Sequence, residues 1–161
     1  MANDQVSHEA PDCSRSNPSP EDRCTGGKQG VILVIDDDTD VLNSIRRLLI
    51  REGWVVLTTS DPGEGLQSYE ALRQGIALVL LDYYMPNLRG DQVWERLKRI
   101  NPQVRVLLMT ASDDCIPPHM RNDGLCGFVQ KPATRKELLR RIREALNHHN
   151  PPGPAADASS A

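Results

Sequence analysis

The chain shows no sustained apolar pattern before residue 31 and alternates two periods after it. Val31–Ile35 (VILVI) is an unbroken apolar run, as expected of a strand covered on both faces. Val41, Leu42, Ile45, Leu48 and Leu49 then recur at helical spacing, and Gly53 follows as a C-terminal stop. Trp54–Thr59 is rich in β-branched residues and reads as a strand. Asp61-Pro62-x-Glu64 supplies a cap, a first-turn proline and an acid at the third position, predicting a helix to about Gln74. Ala77–Leu81 (ALVLL) is a second buried strand. Asp91–Ile100 is helical and is stopped by Asn101-Pro102. Val104–Met109 and Phe128–Gln130 read as strands. Thr134-x-x-Glu137 is a capping box that opens a helix with Leu138, Leu139, Ile142, Ala145 and Leu146 on one side.

Five strands alternating with helices predict an α/β fold: a three-layer, doubly wound (βα)5 parallel sheet with helices on both faces. Composition sharpens the boundaries. All six aromatic residues lie within 31–146, whose 16 basic and 16 acidic residues cancel. The net charge of −3 belongs to the flanking segments. Residues 1–30 and 147–161 are expected to be disordered extensions of a 31–146 domain, being rich in Pro, Ser, Asn and Gly. A neutral domain offers no electrostatic footprint for nucleic acid. The chain has no apolar run long enough to span a membrane and no apolar core of a secretory signal near its start. A cytoplasmic location is expected. Gly26-Gly27-Lys28 lacks the spacing of a phosphate loop. Cys13, Cys24, Cys115 and Cys126 show no CxxC and no histidine at metal spacing, so free thiols are expected over a disulfide or zinc site.

In an open parallel sheet the loops at the carboxyl ends of the strands build the site. Asp36, Asp37 and Asp38 follow the first strand, and Asp82 ends the third. Thr110, Ala111 and Ser112 follow the fourth, and Lys131-Pro132 the fifth. Taken singly, each has a plain explanation: a strand-end Asp is ordinarily a cap, and a lone Lys is ordinarily solvated. One chemical group at each strand end, all on one edge, is not explained by capping. Clustered carboxylates repel one another, and a hard, oxygen-loving cation such as Mg²⁺ relieves that repulsion. A carboxylate beside such a cation and a Lys is also a nucleophile toward a phosphoryl group.

These residues resemble the receiver domain of two-component response regulators, with a chemotaxis-regulator-like organisation. The matching stretches are VILVIDDD (31–38), LVLLDYYMPNLRGD (78–91), VLLMTAS (106–112) and GFVQKP (127–132). The resemblance implies a flavodoxin-like sheet of strand order 2-1-3-4-5. It implies Asp82 as the residue phosphorylated by a sensor histidine kinase or a histidine phosphotransfer protein. Asp36, Asp37, Asp82 and the Tyr84 carbonyl would then hold Mg²⁺. Lys131 would pair with the phosphoryl group, before a Lys131-Pro132 bond that is usually cis. Thr110 and Phe128 would be the switch residues. Output would pass to a downstream protein, and a second copy of the chain is a further candidate partner. Neither an enzyme nor a nucleic-acid-binding domain is implied.

The sequence departs from the family pattern in four places. Phe128 lacks a ring hydroxyl, so its switching is expected to be steric. Arg89 replaces an acid that is common before the glycine. Tyr84 is bulky and is expected to shield a phosphorylated Asp82 from water. Ile116-Pro117-Pro118-His119 falls where the fourth helix should begin, so that helix is expected to be short or displaced, ending before Gly124. Arg135, Lys136, Arg140, Arg141 and Arg143 on the last helix read either as a docking patch or as a solvated face partly offset by Glu137 and Glu144. Trp94, Met85 and Met109 are expected to pack. Two other functions compete. A haloacid-dehalogenase-type phosphohydrolase would share the Asp, Mg²⁺, Thr and Lys. However, Asp36-Asp37-Asp38-Thr39-Asp40 misses its first motif, and no acidic strand end follows Lys131. A receiver fragment of a hybrid kinase, or a phosphate shuttle, is the other; the start Met and the terminal tail favour a stand-alone chain.

Overall fold

The structure is a computed structural model that describes residues 30–112, 116–122 and 125–147. The expectations for the two flanking segments, and for Cys13, Cys24 and Cys115, lie outside those residues. The order of elements is β1 (Val31–Ile35), α1 (Thr39–Arg51), β2 (Val55–Thr59), α2 (Pro62–Leu72), β3 (Ile76–Asp82), α3 (Gly90–Ile100), β4 (Val106–Thr110), α4 (Pro118–Asn122), β5 (Gly127–Gln130) and α5 (Arg135–Asn147). The five strands are parallel in the order β2-β1-β3-β4-β5, as the resemblance implied.

Successive side chains of a strand point to opposite faces, so each buried strand feeds two cores. Leu33, Ile35, Val79, Leu81, Val106 and Leu108 pack against Leu66 and Tyr69 of α2 and Val93, Trp94 and Leu97 of α3. Ile32, Val34, Leu78, Leu80, Leu107 and Met109 pack against Leu42, Ile45 and Leu49 of α1 and Leu138, Leu139 and Ile142 of α5. The unbroken apolar runs follow directly from this double coverage. Each fully buried side chain contributes about 1.5–3 kcal/mol.

Chain ends of the elements follow local chemistry. Asp61 accepts from the Glu64 amide at 2.8 Å, as its cap pattern predicts. Gly53 takes φ +89°, which ends α1 in a conformation that a side chain would strain. The helix after Pro62 ends at Leu72, short of Gln74, and α5 runs one residue past the expected boundary, to Asn147. Val104 and Arg105 are not in β4, because the Val104 amide closes a turn onto the Asn101 carbonyl at 3.0 Å. The expected capping box of α5 is half formed. Thr134 accepts from the Glu137 amide at 3.2 Å, while the Glu137 carboxylate bonds Arg140 and Arg141 instead. Pro117-Pro118 confines α4 to Pro118–Asn122, the short helix expected there.

Candidate functional site: an acidic pocket at the carboxyl edge of the sheet

Strand register builds the pocket. Ile35 of β1 lies opposite Leu81 of β3, so the next residues, Asp36 and Asp82, emerge side by side. Both are buried, with Asp36 fully covered and Asp82 5% exposed. Asp37 is exposed beside them, and one carboxylate oxygen from each of Asp36, Asp37 and Asp82 lies within 4.8 Å of the others. Asp38 does not join them. Its side chain caps α1, accepting from the amides of Asp40 at 2.8 Å and Val41 at 3.2 Å. Asp36 in turn accepts from the Asp38 amide at 3.0 Å, which fixes the turn out of β1.

Lys131 arrives from the far edge of the sheet. Its amide bonds the Thr110 carbonyl at 2.7 Å, continuing the β4–β5 ladder. Its ammonium then reaches Asp36 Oδ2 at 2.7 Å and Asp82 Oδ1 at 2.8 Å. The Lys131-Pro132 peptide is cis. Burial pushes the Asp82 carboxyl above the ordinary carboxylate range. Lys131 pulls it back through its hydrogen bond and charge, and Asp36 and Asp37 push it up again. For Lys131, burial works against the ammonium, but its bonds to Asp36 and Asp82 outweigh that and raise its pKa.

Three carboxylates facing one ammonium leave an excess of negative charge when ionised. An all-oxygen donor set of that charge fits a hard divalent cation. Asp36, Asp37 and Asp82 are the side chains that would hold it.

The other expected site residues lie around this pocket. Thr110 is fully buried at the end of β4, and its hydroxyl donates to the Ser112 carbonyl at 2.8 Å. Tyr84 follows the pocket and is 51% exposed, its ring edge-on to that of the fully buried Tyr83 at 5.0 Å. Phe128 is half-buried on the α2–α3 side of the sheet, where the guanidinium groups of Arg121 and Arg141 lie 5.4 and 5.9 Å from its ring centre. Met85, Met109 and Trp94 are buried as expected. Trp94 Nε1 has no hydrogen-bond partner among the described residues; its ring lies 6.0 Å from that of His119 and 5.8 Å from the Lys98 ammonium. The arginines of α5 are paired: Arg135 and Arg143 with Glu52, Arg140 and Arg141 with Glu137 and Glu144.

Hydrophobic pattern did not single out the contact that organises the β3–α3 loop. The Arg89 guanidinium donates to the Tyr83 hydroxyl and lies over the same ring, 5.1 Å from its centre. Gly90 makes this loop fit. Its amide bonds the Tyr83 carbonyl at 2.9 Å, and a Cβ there would stand 2.7 Å from the Asp82 carbonyl oxygen.

A parallel sheet of this order, with acids and an ammonium gathered at its carboxyl edge, defines a flavodoxin-like signalling domain of the receiver class. The family model for the response regulator receiver domain matches residues 32–143, and the chain belongs to that family. The transcriptional regulatory protein YkoG of Bacillus subtilis is 36% identical over 124 residues, which is 76% of this chain and 53% of that protein. The chemotaxis protein CheY of Treponema pallidum is 29% identical over 71% of this chain and 81% of its own length. The crystal structure of a receiver domain protein from Clostridium thermocellum superposes with a TM-score of 0.69 at 32% identity, covering 73% of this chain and 94% of that one. The chain thus spans about half the length of YkoG. It is a receiver domain of a two-component response regulator, and its relatives are regulatory and chemotaxis proteins. No described helix is long and apolar enough to cross a membrane.

Proposed function

We propose that the chain is a single-domain phosphoacceptor switch in which Asp82 receives a phosphoryl group from a sensor histidine kinase or a histidine phosphotransfer protein. The observation that carries this reading is the Asp82 carboxylate itself. It is 5% exposed, faces the carboxylates of Asp36 and Asp37, and lies 2.8 Å from the Lys131 ammonium. An Asp82 oxygen attacks phosphorus, the bond from phosphorus to the histidine nitrogen breaks, and the imidazole leaves. Lys131 neutralises charge on the transferring oxygens, and Mg²⁺, when bound by Asp36, Asp37, Asp82 and the Tyr84 carbonyl, does the same. The Thr110 hydroxyl leaves its bond to the Ser112 carbonyl to meet the new phosphoryl oxygens, and Phe128 repacks beside Arg121 and Arg141. The altered surface passes the signal to a downstream protein in the cytoplasm by contact, without direct nucleic-acid binding.

Incubation with acetyl phosphate and Mg²⁺, followed by intact-mass measurement, tests this. Wild type gains the mass of one phosphoryl group and Asp82→Asn gains none. Equal labelling of the two proteins would overturn the assignment.

A further inference from the structure

Arg89 occupies the N-cap of α3, the position least suited to it. A cap residue should offer an oxygen to the free amides of the first turn. The helix N-terminus also carries partial positive charge, which a cation opposes. The capping work is done by neighbours: Asp91 accepts from the Gln92 amide at 2.9 Å, and Gln92 Oε1 accepts from the Arg89 amide at 3.1 Å. The Arg89 side chain is therefore not a cap. It turns back across the loop onto Tyr83, bonding the hydroxyl and covering the ring, with Asp91 at 3.7 Å on its other side. Tyr83 is the residue between Asp82 and Tyr84, and it is fully buried.

We propose that Arg89 is a positioning residue that ties the start of α3 to Tyr83 and so fixes the backbone from Asp82 to Tyr84. This rests on the reading of that backbone as part of a phosphoryl-accepting, Mg²⁺-holding site. Three ties close the same loop: the Arg89–Tyr83 contact, the Gly90 amide on the Tyr83 carbonyl at 2.9 Å, and the Tyr83 amide on the Met109 carbonyl at 2.9 Å. The first depends on a side chain, so it can be removed alone. The loop also contains Asn87 at φ +71°, spanned by the bond from the Leu88 amide to the Pro86 carbonyl at 2.8 Å. Arg89 acts on a proposed ligand, the Tyr84 carbonyl, through the intervening residue. Outer-shell partners of this kind change metal affinity on the order of ten-fold or more.

Arg89→Met, Tyr83→Phe and the double variant are compared with wild type in three measurements: Mg²⁺ titration by calorimetry, amide exchange of the Gly90 N–H without metal, and thermal unfolding. Each single variant weakens Mg²⁺ binding on the order of ten-fold and speeds Gly90 exchange, and the double variant is no worse than either single. Arg89→Met also melts lower than wild type, because the buried Tyr83 hydroxyl loses its partner; a merely structural contact would lower the melting temperature while leaving Mg²⁺ affinity and Gly90 exchange unchanged. Unchanged Gly90 exchange in Arg89→Met overturns the proposal, as does Mg²⁺ binding equal to wild type. If wild type itself binds no Mg²⁺, the metal-site reading fails, and Gly90 exchange alone then decides the role of Arg89.

Discussion

Replacing Asp82 with asparagine removes the charge on the proposed phosphoacceptor and keeps its shape. The same substitution should make the metal-free protein more stable at neutral pH. Two carboxylates lie within 4.8 Å of Asp82, and at an effective dielectric of about 20 each repels it by about 3.5 kcal/mol. One ammonium at 2.8 Å attracts it by about 6 kcal/mol on the same scale. Asp37 is exposed and its share is screened, so attraction and repulsion nearly cancel. Burial then decides the sign, and burial disfavours the charged form. In the variant Lys131 keeps Asp36 at 2.7 Å and is not orphaned. The expected gain is about 1–2 kcal/mol, measured by urea denaturation with a chelator at pH 7.5. A carboxyl whose folded pKa is raised binds a proton more readily when folded. Its ionisation therefore lowers stability at neutral pH, and the loss is recovered as pH falls through that raised value toward the ordinary range. The advantage of the variant should shrink over the same fall in pH. Added Mg²⁺ should stabilise wild type more than the variant. A variant less stable than wild type at pH 7.5, or an advantage unchanged by acid, would refute the reasoning.

Lys131→Met leaves the carboxylates of Asp36 and Asp82 buried without their cation. It should cost about 3 kcal/mol in urea denaturation, the lower end for a broken buried pair because the Lys131 side chain keeps 29% exposure. Gly90→Ala should cost about 1–3 kcal/mol and slow phosphorylation by acetyl phosphate, since its Cβ would press on backbone rather than on a movable side chain; an unchanged denaturation midpoint would contradict this. Tyr84→Asn should shorten the lifetime of the phosphorylated protein, read by mass over time, if the ring of Tyr84 keeps water from Asp82; an equal lifetime sinks that role.

The sheet was legible because both cores draw on every second residue of the same strands. Runs such as VILVI therefore announce double coverage before any contact is known. The site edge was legible for a related reason. Parallel strands place their carboxyl ends together, so Asp36, Asp82, Thr110 and Lys131 could be assembled from chain order alone. Features set by tertiary competition were not legible. Val104 is buried yet unpaired as strand, because apolarity reports burial and not hydrogen bonding. Glu137 had the sequence of a capping residue, but two arginines on its own helix outcompeted the amide. Asp38 follows the first strand beside Asp36 and Asp37, yet it serves as a cap and not in the pocket. Arg89 stood out only as a charge reversal, and its partner Tyr83 drew no notice. No local pattern links an arginine to a tyrosine six residues back across a turn.

Lys131 and Asp36 are 95 residues apart in the chain. The acids are carried by β1 and β3, neighbours at the centre of the sheet, while the neutralising charge comes after β5, at its edge. Closing so long a loop is entropically costly and is rewarded only once the intervening strands have paired. The pocket is thus completed from an edge strand, β5, which pairs on one side only. A fraying edge would withdraw the ammonium and leave the central acids facing each other. Electrostatic integrity of the centre is delegated to the periphery, and local opening of β5 is an event that unpairs the pocket.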